Sequence, residues 1–261
     1  MRGVLIDLDG VIYEGDEPVA GAADAVAWLV EEGIAHLFLT NTTSRPRSAL
    51  IEKLAGLGVD TTPDRILTPP VAAARWLETH APGPAALFVP EATAAEFGDL
   101  PRLAADAESG AASVVLGDLG TAWDFATLNR AFRLLMAEPR PAFVALGMTR
   151  YWRAEDGLRL DVAPFVKALE HATGAEAVVL GKPAPAFFDT ALDLLGLAAG
   201  ECVLVGDDIV SDVGGAQEAG ITGLLVRTGK FREADLEGAI RPDAVLHSFA
   251  ELPDWWRSAR S

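Results

Sequence analysis

Apolar residues run unbroken through "GVLI" (3–6), "AHLFL" (35–39), "CVLV" (202–205) and "GLLV" (223–226). Short continuous runs of this kind, bounded by turn residues, read as strands buried on both faces, as in parallel sheets. Helical spacing separates them. In "GAADAVAWLVEEGI" the residues Val26, Leu29 and Val30 share a face, and Gly33 stops the pattern. "RSALIEKLAGLG", "PAFFDTALDLLG" and "DVGGAQEAG" read as further helices, while "DAVLHSF" and "LPDWW" finish the chain. This βαβα alternation predicts a parallel sheet covered by helices on both faces.

The middle of the chain is also α/β. "AALFVP", "ASVVLG" and "AFVALG" predict strands, "DFATLNRAFRLLM" and "PFVKALEHAT" helices, and "TRYWRAEDGLRLD" a hairpin turning at Asp156-Gly157. The Pro-bearing "TPP" (68–70) and the Gly-Lys-Pro at 181–183 mark crossings into and out of this block. The expected organisation is one domain inserted into another: core 1–70, insert 71–178, core 179–261. The fold class expected is α/β, a Rossmann-like doubly wound parallel-sheet core with an inserted α/β cap.

Composition narrows the setting. With 261 residues, half of them hydrophobic, the chain has ample material for a core. A formal charge of −17 argues against nucleic acid and anionic membrane surfaces as partners. No apolar run approaches the roughly 20 residues of a membrane helix, and Asp7 and Asp9 interrupt the N-terminal apolar segment where a signal peptide would be continuous. The single cysteine, Cys202, lies in an apolar run and reads as a core residue of a cytoplasmic protein. Homo-oligomerisation is left open.

Two carboxylates then stand out. Asp7 and Asp9 end the first apolar run, and side chains at i and i+2 of a strand share a face, so both are expected to converge at its carboxyl end. Open α/β sheets bind ligands there. The second strand ends in Thr40-Asn41, and "CVLVG" runs into Asp207-Asp208 with Asp212 beyond. One acid at a strand end is an ordinary cap or turn residue; unpaired acids seldom cluster next to a core. Clustered carboxylates call for a cation, and Mg²⁺ suits carboxylate oxygens. Lys182 supplies a further positive charge, Thr40 a hydroxyl and Asn41 the start of a loop with backbone donors. Such a set suits phosphoryl transfer, which needs positioning and charge stabilisation.

These residues carry a resemblance. "DLDGV", "LFLTN", "GKP" and "VGDDIVSD" are similar, in order and across nearly the whole chain, to the motifs of the haloacid dehalogenase superfamily of phosphatases, subclass IIA. "TNTTSRPR", "NRAFRLLM" and "VGDDIVSDVGGAQEAGITGLLVRTGKF" resemble the phospholysine phosphohistidine inorganic pyrophosphate phosphatase family and its relatives. Where that family suggests a Gly-Pro-Gly-like turn before "PFV", this chain has "LDVAPFV". The resemblance implies Asp7 as nucleophile, forming an aspartyl-phosphate, and Asp9 as general acid and base. It implies Mg²⁺ held by Asp7, the Asp9 carbonyl and Asp207. Thr40, Asn41 and Lys182 would bind the phosphoryl oxygens, and Asp208 and Asp212 would orient the metal waters or Lys182. The substrate implied is a small phosphorylated compound with a P–N or pyrophosphate bond, or alternatively a nucleoside monophosphate or phosphoglycolate.

Rival readings fit less well. A phosphorylated receiver, or another phosphate-binding regulatory module, lacks use for Asp7-Leu8-Asp9 and for the hundred-odd residues between Asn41 and Lys182. A dehalogenase needs neither Asp9 nor Asp207. Gly181-Lys182 is no Walker A loop, because Pro183 stands where Ser or Thr is required. His36, His80, His171 and His247 lack metal-ligand spacing and read as structural, and Trp255 and Trp256 as packing for a terminal helix. Tyr151 and Trp152 are expected on the insert's hairpin.

Overall fold

The structure, a computed structural model, describes the whole chain except Ser44, Glu155, Arg260 and Ser261. In chain order its elements are β1 (Gly3–Asp7), β2 (Tyr13–Glu14), β3 (Glu17–Pro18), α1 (Ala22–Glu31), β4 (Ala35–Leu39), α2 (Arg47–Gly56), β5 (Ile66–Leu67) and α3 (Pro69–His80). There follow β6 (Ala85–Phe88), α4 (Glu91–Ala94), β7 (Ser113–Leu116), α5 (Phe125–Leu135), β8 (Ala142–Ala145), β9 (Tyr151–Ala154), β10 (Gly157–Leu160), α6 (Val162–Thr173) and β11 (Val178–Val179). The chain ends with α7 (Pro185–Leu195), β12 (Cys202–Gly206), α8 (Gly215–Glu218), β13 (Thr222–Val226), β14 (Ala244–Leu246) and α9 (Leu252–Ser258). It divides into two compact units: residues 1–40, 47–67 and 182–261, and residues 41–46 and 68–181.

The first unit is built on a six-stranded sheet of order β14-β13-β12-β1-β4-β5. Every pairing in it is parallel. Strand order reverses between β1 and β12, because the chain first builds outward through β4 and β5 and only later through β12, β13 and β14. That reversal opens the crevice in which doubly wound sheets hold ligands. Val4, Ile6, Phe38, Val203, Val205 and Leu224 form one sheet face, covered by Val26 and Leu29 of α1, Leu50 and Leu54 of α2 and Trp256 of α9. Trp256 is buried and meets Trp28 edge to face at 6.5 Å. On the other face lies α7, with Phe187 and Phe188 fully buried. Each such side chain contributes about 1.5–3 kcal/mol through burial.

Two features of this unit depart from the expectation. The strand stops at Asp7, two residues short of the Asp9 expected on it. Past Asp7 the Leu8 carbonyl accepts from the amides of Val11, Ile12 and Tyr13, and Gly10 takes a left-handed conformation at φ 84°. The chain thus curls out of the pleat, Leu8 is buried, and Asp9 is exposed. The segment "DVGGAQEAG" also begins as a wide π turn, Ile209–Gly214, before α8. Both the Asp212 and Val213 amides reach the Asp208 carbonyl, at 3.0 and 3.3 Å.

The second unit holds a four-stranded parallel sheet of order β11-β8-β7-β6. Phe88, Val114, Leu116 and Phe143 pack there with Leu134 and Leu135 of α5 and Val162, Val166 and Leu169 of α6. Trp123 stacks on Phe165 at 4.6 Å. Asp124 caps α5 by accepting from the Thr127 amide at 2.7 Å. The hairpin β9–β10 is present, but Gly157 pairs with Ala154 and so opens the second strand. Tyr151 and Trp152 lie on β9 and are exposed. Among the described residues, no helix is long and apolar enough to cross a membrane.

Candidate active site

Five segments of the first unit bring polar groups together around the carboxyl ends of β1, β4, β12 and β13. Asp7 closes β1, where its backbone pairs with Leu39 of β4, and is only 5 % exposed. Thr40 follows β4 directly, is buried, and donates its amide to the Leu67 carbonyl at 3.2 Å. Lys182 enters from the start of the third chain segment. Its ammonium donates to Asp7 Oδ1 and to Asp212 Oδ1, each at 2.6 Å, with all three side chains under a tenth exposed.

Asp212 reaches that position because of the π turn. Asp208 caps the turn by accepting from the amides of Val210 and Ser211, at 3.0 and 2.9 Å. The second oxygen of Asp212 accepts from the Asp208 amide at 3.1 Å. Gly206 leaves room for this, since a Cβ there would stand 2.6 Å from Asp212 Cγ. Both oxygens of Asp212 therefore have protein donors.

Asp207 differs. Its Oδ2 accepts from the Lys230 amide at 2.7 Å. Its Oδ1 is buried and, among the described residues, has no hydrogen-bond partner. An orphaned buried carboxylate oxygen is costly unless something fills the gap. Carboxylate oxygens of Asp7, Asp207 and Asp212 lie within 4.8 Å of one another, and hard oxygen donors at this density suit Mg²⁺. The residues therefore fit a divalent cation, with Asp207 Oδ1 the open donor.

The electrostatics follow from three buried acids sharing one buried base. Burial pushes the Asp7 carboxyl up to about 7, with Lys182 pulling against it and Asp212 and Asp207 adding to it. Burial likewise raises Asp207 to about 6, against the pull of the Lys230 amide and ammonium. Burial works against the Lys182 charge, but the carboxylates of Asp212 and Asp7 outweigh it and hold the ammonium above its ordinary range. The site thus keeps its cation while its acids compete for protons, an excess of negative charge that a metal would relieve.

Of the residues singled out in the sequence, Asp7, Lys182, Asp207 and Asp212 converge, and Asp208 supports them through the turn. Asp9 is exposed and is not among the three acids whose oxygens lie within 4.8 Å of one another. Asn41 is exposed and clusters with the second unit, next to Gly181, where a Cβ would lie 3.2 Å from its Oδ1. The sequence reading assigned nothing to Thr228, Gly229 and Lys230, which close over Asp207 from the end of β13. The signal was available: "GLLV" is an apolar run ending in polar "RTGK", as the first and third runs do.

A family profile described as haloacid dehalogenase-like hydrolase matches residues 4–99, and one described as HAD-hydrolase-like matches 179–252. The chain is 38% identical over 259 residues to phospholysine phosphohistidine inorganic pyrophosphate phosphatase of Homo sapiens, covering 97% of this chain and 93% of that protein. It is 39% identical over 246 residues to haloacid dehalogenase-like hydrolase domain-containing protein 2 of Bos taurus, covering 94% and 91%. Among solved structures, p-nitrophenyl phosphatase from Archaeoglobus fulgidus matches with a TM-score of 0.87 and 28% identity over 97% of this chain and 98% of that one.

Proposed function

This chain belongs to the haloacid dehalogenase-like hydrolases, and on that footing we propose that it is a magnesium-dependent phosphatase of small phosphorylated compounds. The observation that carries the reading is the buried chain Asp7–Lys182–Asp212 beside the open oxygen of Asp207. Asp7, the Asp9 carbonyl and Asp207 would hold Mg²⁺, which when bound supplies positive charge against the phosphoryl oxygens.

In the first step the Asp7 carboxylate attacks phosphorus, the bond from phosphorus to the leaving group breaks, and Asp9 gives its proton to the departing atom. In the second, water attacks the aspartyl-phosphate, Asp9 takes the proton, and the bond from phosphorus to Asp7 breaks to release phosphate. The exposure of Asp9 suits a group that exchanges protons with a substrate and with water in turn. Lys182 orients Asp7 by gripping one oxygen and, with Thr40 and Asn41, holds the phosphoryl oxygens. Asp212 fixes Lys182, and Asp208 fixes Asp212. The inserted unit is on this reading the cap domain that admits small substrates.

The name of the human relative favours P–N and pyrophosphate bonds. The test is phosphate release from phosphohistidine, phospholysine, pyrophosphate, nucleoside monophosphates, phosphoglycolate and p-nitrophenyl phosphate, with Mg²⁺ and with chelator. Mg²⁺-dependent turnover is expected, with a P–N or pyrophosphate substrate ahead. A best substrate among the nucleotides or phosphoglycolate overturns the leaving-group assignment, and no turnover on any member overturns the phosphatase.

A further inference from the structure

The loop after β13 makes contacts that no catalytic role requires: two meet the Asp207 carboxylate, and two tie the loop to Gly10 and Glu14 of the segment after β1. The Lys230 amide donates to Asp207 Oδ2 at 2.7 Å. The preceding Gly229 has φ 68°, and a Cβ on it would stand 2.9 Å from Asp207 Cγ and 2.6 Å from Gly10 Cα. The Thr228 hydroxyl donates to the Gly10 carbonyl, and the Gly229 amide donates to Glu14 Oε1. Gly10 is itself left-handed, and a Cβ there would also strike the Asp207 carboxylate. Two side-chain-free residues thus press on Asp207 from two loops, and a hydroxyl ties those loops together.

We infer that Thr228-Gly229-Lys230 is a positioning strap for the metal site. It occupies Asp207 Oδ2 through a backbone amide, so that Oδ1 is the one oxygen of that carboxylate left to bind a cation. It also fixes the carbonyl of Gly10, and with it the backbone that follows the Asp9 carbonyl. This rests on the metal-dependent reading above, and it concerns residues outside the four short motifs "DLDGV", "LFLTN", "GKP" and "VGDDIVSD". The strap acts through Asp207 and touches no substrate, so its loss shows in cation affinity and not in substrate affinity. Groups that orient a metal's direct ligands are worth about 10- to 100-fold in metal affinity.

The test is calorimetric titration of MgCl₂ into the metal-free full-length protein, wild type against Gly229→Ala, Thr228→Val and Thr228→Ser. Gly229→Ala places a methyl against Asp207 and Gly10 in a backbone conformation that disfavours it. It is expected to weaken Mg²⁺ binding about 10- to 100-fold, with the KM for p-nitrophenyl phosphate at saturating Mg²⁺ unchanged. Thr228→Val is expected to weaken Mg²⁺ binding about tenfold, and Thr228→Ser, which keeps the hydroxyl, to restore it. Folded Gly229→Ala with wild-type Mg²⁺ affinity overturns the strap. Should Gly229→Ala fail to fold, the Thr228 pair decides: equal affinity of Thr228→Val and wild type overturns it. Wild type that binds no Mg²⁺ overturns the metal-dependent reading and the strap together, whereas wild type that binds while the variants match it overturns the strap alone.

Discussion

Lys182→Met removes the one buried cation that two buried carboxylates share, each 2.6 Å from its nitrogen. The Met side chain keeps most of the volume, so the loss is electrostatic. Removing one partner of a buried ion pair costs about 3–5 kcal/mol, because the other charge stays behind without water or partner. Asp7 already sits at about 7 against an ordinary 3.8, with Lys182 as the principal force pulling it down. Without Lys182 it moves higher. A carboxyl whose folded pKa lies above its unfolded value destabilises the fold at alkaline pH, and that cost fades as the pH falls through the folded pKa and the group takes its proton. The gap between variant and wild type is therefore largest at about pH 8.5 and shrinks by about pH 5. Urea unfolding of the metal-free proteins at both values measures it. A gap below about 1 kcal/mol at the higher pH, or one as large at the lower, would refute the buried-charge reasoning.

Three further outcomes are expected. Asp9→Asn leaves the urea midpoint unchanged, since the side chain is exposed, while phosphate release drops roughly 10²- to 10⁴-fold; a shifted midpoint would make the residue structural. Mg²⁺ affinity falls as the pH drops through about 7 and then about 6, because the cation must displace protons from Asp7 and Asp207; titration calorimetry across that range would show a flat response if the two carboxyls are not the ligands. Gly206→Ala forces a methyl onto Asp212 and moves it off Lys182, at about 1–3 kcal/mol of stability; a melting curve that matches wild type would mean the π turn can shift freely.

What the sequence made legible was whatever side-chain type and position could carry. Apolar runs such as "CVLV" had to be buried strands, and charges at their ends had to be explained, so Asp7, Asp207 and Lys182 could be named although Asp7 and Lys182 lie 175 residues apart. Helix α3 was hidden because Pro69-Pro70 reads as a breaker, whereas proline at the first helical positions costs nothing. The two-residue strand β5 is too short to show a period. The exposure of Asp9 depends on Gly10 turning the chain, a backbone event that a period-2 rule cannot register. The strap was least visible of all, since it works through amides, one hydroxyl and the absence of Cβ atoms. The trace these leave in the sequence is faint, the polar "RTGK" that ends the apolar run "GLLV".

The central claim is that Asp7 carries the phosphoryl group between substrate and water. Acid-quenched single turnover with Mg²⁺ and p-nitrophenyl phosphate, followed by mass analysis of the N-terminal peptide, tests it directly. The account predicts a transient mass increment of one phosphoryl group on Asp7, and neither adduct nor turnover in Asp7→Asn. Turnover that persists in Asp7→Asn, or an adduct on another residue, would contradict it.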